Sequence, residues 1–176
     1  MNVLVLGSGG REHALSHKIV QSTKCEKLFI APGNGGTAAL GDNVSLDIES
    51  AAEVAAFAKA QAIDIVVIGP EAPLVAGVHD GLKSFPELEN LVVVGPRQAA
   101  AELEGSKDFA KEFMMRHQIP TAAYQTFTKD TLADGQAFLE TLESPYVLKA
   151  DGLAAGKGVL IIEDLDEAKE ELKNML

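Results

Sequence analysis

The 176-residue chain holds one cysteine, Cys25. That excludes an intramolecular disulfide and fits a reducing compartment. Long apolar runs are missing as well. The N-terminal run, Val3 to Leu6, is broken at once by Gly7. A run this short serves neither as the apolar region of a secretion signal nor as a membrane span. Positive charge is scarce: 15 Lys and Arg stand against 26 Asp and Glu, a formal net charge of −11. General attraction to nucleic acid or to anionic lipid is therefore not expected, and any phosphate site has to be local. These absences together predict a cytoplasmic protein without nucleic-acid or membrane partners. Internal repeats and low-complexity tracts are also absent. The histidines His13, His17, His79 and His117 lack metal-ligand spacing. No Gly-x-Ser-x-Gly elbow supports a serine hydrolase, and Cys25, without a histidine partner, reads as inert.

What is present is the composition of a soluble globular protein, 47% hydrophobic and 23% charged. The length suffices for one domain, or for one domain and part of a second. Short apolar runs at 2–6, 27–31, 43–47, 64–70 and 91–96 alternate with helical patterns. One helix is expected from about Arg11, with Ala14, Leu15, Ile19 and Val20 on its inward face; another carries Val54, Ala55, Phe57 and Ala58. Continuous β-branched runs such as "DIVVIGP" and "LVVVGP" predict strands buried on both faces of a parallel sheet, hence a doubly wound α/β architecture. After Pro96 the pattern changes. "GSKDFAKEFMMRHQIP" (105–120) reads as a helix capped by Ser106, with Phe109, Phe113 and Met114 inward and Pro120 as its stop. A strand at 124–127, a helix at 131–143, strands at 146–149 and 158–162 and a helix from about Asp164 follow. A boundary falls near 100–106.

Two glycine loops carry the chemistry. Gly7-Ser8-Gly9-Gly10-Arg11-Glu12 satisfies the first two glycines of a dinucleotide fingerprint but puts Glu12 in the third position, where it would crowd the helix–strand contact. No acidic residue follows the second strand to hold an adenosine ribose, so a nicotinamide cofactor is discounted. What survives is a helix N-terminus with free backbone N–H groups at Gly9 and Gly10 and with Arg11 close by, either an anion site or a structural turn. "APGNGG" and "GPEAPLVAG" lie as loops at the same strand edge. Their Asn34 and Glu71 suit hydroxyls or an amine, or serve as turn former and helix cap. The second loop, "YVLKADGLAAGKGVLII" (146–162), has the wrong spacing for a Walker A motif and joins strand to strand. A glycine-rich hairpin of this kind can lie as a flap over phosphates. Lys149 ends an apolar strand, where a buried ammonium is costly unless it meets an anion. Lys107, in the first turn of its helix, opposes the helix dipole unless it faces a phosphate. Lys157 is either a phosphate ligand or solvated.

The blocks "VLVLGSGGREHAL", "APGN", "GPEAPLVAG", "AAELEGSKDFAKEFM", "IPTAAY" and "YVLKADGLAAGKGV", in this order, resemble the glycinamide ribonucleotide synthetase family of ATP-grasp enzymes over essentially the whole chain. The resemblance implies an N-terminal α/β substrate-binding domain over 1–104, a connecting helix of the ATP-grasp region over 105–120, and a partial lid subdomain of α+β type over 121–176. It implies ATP-dependent ligation of glycine to 5-phosphoribosylamine through glycyl phosphate, in purine biosynthesis. ATP is expected at Lys107, Lys149, Asp151, Gly152, Gly156, Lys157 and Gly158; Gly9, Gly10, Arg11, Asn34 and Glu71 are expected near the phosphoribosylamine. Family chains are much longer, so the resemblance also implies an N-terminal fragment, inactive alone, whose Mg2+ ligands lie beyond residue 176. No catalytic residue is assigned. Three alternatives remain: another ATP-grasp ligase, a noncatalytic nucleotide-binding module, and a nicotinamide-dependent oxidoreductase, the last disfavoured by Glu12.

Overall fold

The computed structural model describes residues 1–154 and 157–176. These divide into two compact units, Met1–Gly105 and Ser106–Leu176. The first runs β1 (Asn2–Gly7), α1 (Gly10–Ile19), β2 (Lys27–Pro32), β3 (Asp42–Asn43), α2 (Ala51–Ala60), β4 (Ile65–Ile68), α3 (Glu71–Val75), α4 (Val78–Ser84), β5 (Val92–Val94) and α5 (Gln98–Gly105). Its strands form one parallel sheet in the order β3-β2-β1-β4-β5. Alternate residues of β1 serve opposite faces, as the two-residue strand period requires. Leu4 and Leu6 join Phe29, Val66 and Ile68 beneath Val54 of α2, Leu74 of α3, Leu82 of α4 and Ala101 of α5. Val3 and Val5 join Leu28 and Ile30 on the other face, where Ile19 of α1 packs. Burying one such Val or Leu contributes ~1.5–3 kcal/mol, so the doubly wound layer is held by its three inner strands, β2, β1 and β4.

Several local expectations give way. Helix α1 turns Glu12 and Ser16 inward with Ile19 half-buried, while Ala14, Leu15 and Val20 lie at the surface. The phase is set by Glu12, whose side chain fills a space between strand ends. Of the run at 43–47 only Asn43 lies in the sheet, as the second residue of β3. The segment after β4 is not a loop, because Glu71–Val75 winds into α3. Strand β5 is not buried on both faces: Val92 and Val94 are half-exposed while Val93 packs on the core. Helix α1 packs on β1 and β2 instead. The two units divide between Gly105 and Ser106, directly after α5.

The second unit contains α6 (Lys107–Arg116), α7 (Leu132–Leu139), β6 (Tyr146–Lys149), β7 (Val159–Ile162) and α8 (Leu165–Met175). Strands β6 and β7 pair antiparallel, Tyr146 opposite Ile162 and Lys149 opposite Val159. Tyr146, Leu148 and Ile162 pack with Leu139 of α7 and with Ala168 and Leu172 of α8. Helix α8 is started by Asp164, whose carboxylate accepts from Glu167 N–H at 2.9 Å. The run 124–127 is not a strand, because the two-stranded ladder of β6 and β7 does not include it. Ser106 caps α6 as expected, its Oγ accepting from Phe109 N–H at 3.1 Å. Phe109, Phe113 and Met114 are only half-buried.

Candidate functional site

Two clusters gather the candidate residues, one in each unit. In the first unit the ends of β1, β2 and β4 share the carboxyl edge of the sheet, where ligands of open α/β folds collect. Glu12 organises this edge. It is 3% exposed, its Oε2 accepts from Gly9 N–H at 2.7 Å, and its other oxygen, Oε1, has Arg11 Nε at 3.5 Å. Oε1 lacks a hydrogen-bond partner among the described residues. The expected crowding does not arise, because the neighbouring strand ends are glycines. A β-carbon at Gly7 would stand 2.5 Å from Glu12 Cγ, and one at Gly69 would overlap the same carboxylate. The amide of Gly9 thus already holds an internal anion. The signal for this was present in the sequence: a Glu three residues after the N-cap position is the second half of a capping box.

Arg11 and Glu71 meet across the same edge, Nη2 to Oε1 at 3.2 Å and Nη1 to Oε1 at 3.3 Å. The Glu71 hydrogen bond and charge hold the guanidinium above its ordinary pKa. The Glu71 carboxyl lies below its ordinary range: its own backbone N–H lowers it most, burial opposes, and Arg11 lowers it further. Both side chains border a depression of about 450 Å³ that also takes in Gly69, Pro96 and Glu104. Asn34 behaves as a turn former. Its Oδ1 accepts from the N–H groups of Gly36 at 2.8 Å and Thr37 at 3.0 Å, and its Nδ2 donates to Ser8 O at 2.8 Å. That last bond ties the β2 loop to the β1 loop. Gly10 has open space where a side chain would stand.

In the second unit, Lys107, Lys149 and Asp151 line one cavity of about 530 Å³, together with Tyr124, Phe127, Phe138 and Leu148. Lys149 is exposed on the outer face of β6; the premise of a buried ammonium does not hold, because the strand alternates and puts Tyr146 and Leu148 inside instead. Among the described residues no carboxylate lies within ion-pair distance of Lys107 or Lys149. Lys107 Nζ donates to Gly152 O at 2.8 Å. Asp151 faces α6 and accepts from Lys107 N–H at 2.6 Å, Asp108 N–H at 3.4 Å and Ser106 Oγ at 3.1 Å. Burial raises its pKa, but the donors from Lys107, Gly152, Asp108 and Ser106 outweigh that and hold the carboxyl below its ordinary value. The hairpin is closed by Ala150 N–H donating to Gly158 O at 2.8 Å. A β-carbon at Gly158 would lie 2.7 Å from Ala154 Cβ. Gly152 adopts φ +90°, a conformation that favours glycine. Lys157 is exposed. Gly156 lies outside the described residues.

The sequence profile of the phosphoribosylglycinamide synthetase N domain matches residues 1–104, and that of the ATP-grasp (A) domain of the same enzyme matches residues 105–176. The chain is 51% identical to a phosphoribosylamine–glycine ligase of Vibrio parahaemolyticus over 178 aligned residues, covering 100% of this chain and 40% of that protein. It thus spans about 40% of the length of the curated relatives it matches. The crystal structure of phosphoribosylamine–glycine ligase from Thermotoga maritima is similar with a TM-score of 0.71 at 34% identity, over 97% of this chain and 38% of that one. The biotin carboxylase domain of Hydrogenobacter thermophilus 2-oxoglutarate carboxylase, solved with MgADP, aligns with a TM-score of 0.73 at 16% identity over 99% of this chain and 40% of that one. The last similarity concerns the fold alone.

Proposed function

The chain belongs to the phosphoribosylglycinamide synthetase family, and on that premise we propose that the polypeptide carrying it ligates glycine to 5-phosphoribosylamine at the expense of ATP, in the cytoplasm, as a step of purine biosynthesis. The carrying observation is that Lys107 and Lys149, unpaired by any carboxylate among the described residues, line one cavity with aromatic and aliphatic walls. A nucleotide offers a flat apolar base and a polyanionic tail, which such a cavity matches at both ends. The ammonium groups of Lys107 and Lys149 hold the phosphates in this reading, and Gly152, Gly158 and Lys157 belong to the loop beside them.

In the reaction, a glycine carboxylate oxygen bonds to the terminal phosphorus of ATP and ADP leaves. The phosphoribosylamine nitrogen then bonds to the glycyl carbonyl carbon, phosphate leaves, and the amine gives up a proton. Arg11 and Glu71 supply opposite charges at the edge where the phosphoribosylamine is expected, a cation for its phosphate and an acceptor for hydroxyl or amine hydrogens, with Gly9, Gly10 and Asn34 shaping the loops. Among the described residues no group of three or more His, Cys, Asp or Glu side chains able to hold a metal comes together. The described residues thus offer no all-protein cage for magnesium. The test is ADP release by the full-length polypeptide given ATP, magnesium, glycine and phosphoribosylamine. Turnover that requires both glycine and the amine is expected. ADP release indifferent to either would overturn the reading.

A further inference from the structure

Helix α6 is weakly anchored by apolar contact. No residue in it is fully buried, and none of its side chains joins a hydrophobic core cluster. Polar contacts hold it instead. Asp108 accepts from the hydroxyl of Thr126, and Lys111 Nζ donates to Thr121 Oγ1 at 2.6 Å and to Ala122 O at 2.9 Å. Further polar contacts run to the turn after β6 and centre on Asp151. A helix leaves its first N–H groups without intrahelical partners. In α6 the first two, from Lys107 and Asp108, donate to Asp151 Oδ1, and the third, from Phe109, donates to Ser106 Oγ. Ser106 Oγ in turn donates to Asp151 Oδ2 at 3.1 Å. The partial positive charge of the helix N-terminus is therefore met by a carboxylate 44 residues away in the chain.

We propose that Asp151 is a positioning residue for the phosphate-binding end of the second unit. Its carboxylate takes the N-terminus of α6 and so fixes Lys107 against the turn that follows Lys149. The consequence is specific. The anion at the helix N-terminus is internal, which leaves the phosphates of a nucleotide to the two ammonium groups. Lys107 reaches the turn by both ends of the residue, N–H to Asp151 and Nζ to Gly152 O. Loss of the carboxylate leaves the bond from Lys107 Nζ to Gly152 O to tie α6 to the turn after β6, and the lysines they carry are held less firmly at one spacing. The role rests on the nucleotide-binding reading above and deepens it.

The experiment compares the full-length polypeptide with its Asp151→Ala and Asp151→Asn variants. It measures amide hydrogen exchange at Lys107 and Asp108, and KM for ATP beside KM for glycine. Asp151→Ala should speed exchange at both amides and raise KM for ATP about tenfold, the size of one charge-assisted hydrogen bond. KM for glycine should stay unchanged, a split that general loosening of the fold does not give. Asp151→Asn, which keeps an oxygen acceptor, should fall between. Unchanged exchange, or faster exchange with an unaltered KM for ATP, overturns the positioning role while leaving the nucleotide reading standing. A parent enzyme that neither binds nor consumes ATP overturns both.

Discussion

Gly69, at the end of β4, faces the carboxylate of Glu12 so closely that any β-carbon at position 69 would overlap it. A strand end and the first turn of α1 therefore share one space, and the glycine is there because the glutamate is. Gly69→Ala should destabilise the first unit by ~1–3 kcal/mol through overpacking. Urea unfolding measures the loss, and a double-mutant cycle with Glu12→Ala should show it largely relieved. An equal cost in both backgrounds would mean that Gly69 is needed for another reason.

Glu12→Ala alone should be destabilising although it removes a buried acid. Gly9 N–H loses the charged partner it meets at 2.7 Å, and a hydrogen bond to a charged group contributes ~1.5–3 kcal/mol. Thermal or urea unfolding reads the cost. A gain in stability would show that the orphaned Oε1 outweighs the Gly9 bond.

Arg11→Ala should separate binding from folding. The Arg11–Glu71 pair is largely exposed, with side-chain exposures of 59% and 41%, and exposed pairs contribute only ~0–1 kcal/mol to stability. If Arg11 holds the substrate phosphate, phosphoribosylamine binding should weaken by ~1.5–3 kcal/mol and ATP binding much less. Equal losses for both ligands would remove Arg11 from the substrate site.

The Glu71 carboxyl should titrate below the ordinary glutamate range, since its own backbone N–H and Arg11 both favour the ionised form over the opposing effect of burial. A folded-state pKa that is lowered gives a contribution present above the unfolded value and lost as pH falls through the folded one. The Arg11–Glu71 pair should accordingly persist at neutral and mildly acidic pH and open only below that range. An NMR titration of the Glu71 side-chain carbon checks this, and a midpoint at or above the usual value contradicts it.

Lys149→Met should leave stability within ~0.5 kcal/mol, as substitutions of exposed residues generally do, while weakening ATP binding. Calorimetric titration alongside a melting curve distinguishes the two. A melting shift with unchanged affinity would make Lys149 a folding residue.

The strands β1, β2, β4 and β5 and the helices α2, α6 and α8 were legible in the sequence because their signals are local. Unbroken Val, Ile and Leu runs mark strands, Ser106 and the acidic start near Asp164 mark helix starts, and Val54, Ala55 and Ala58 repeat at helical spacing. That the sheet is parallel followed from the alternation of strands and helices, and the residues around Gly9, Arg11 and Lys149 stood out as glycine- and charge-bearing breaks in apolar runs, Asp151 being named only through the family resemblance. What stayed illegible depends on partners distant in the chain. Apolar spacing alone pointed α1 along Ala14 and Leu15, but glycines at 7 and 69 open a pocket that takes Glu12 instead, and the helix turns with it. The 124–127 run has the composition of a strand, yet strand formation requires a ladder partner, and among the described residues β6 and β7 pair only with each other. Asp151 reads locally as part of a phosphate loop. Only folding brings it to the N-terminus of a helix 44 residues earlier, where unpaired backbone donors decide which way a carboxylate points.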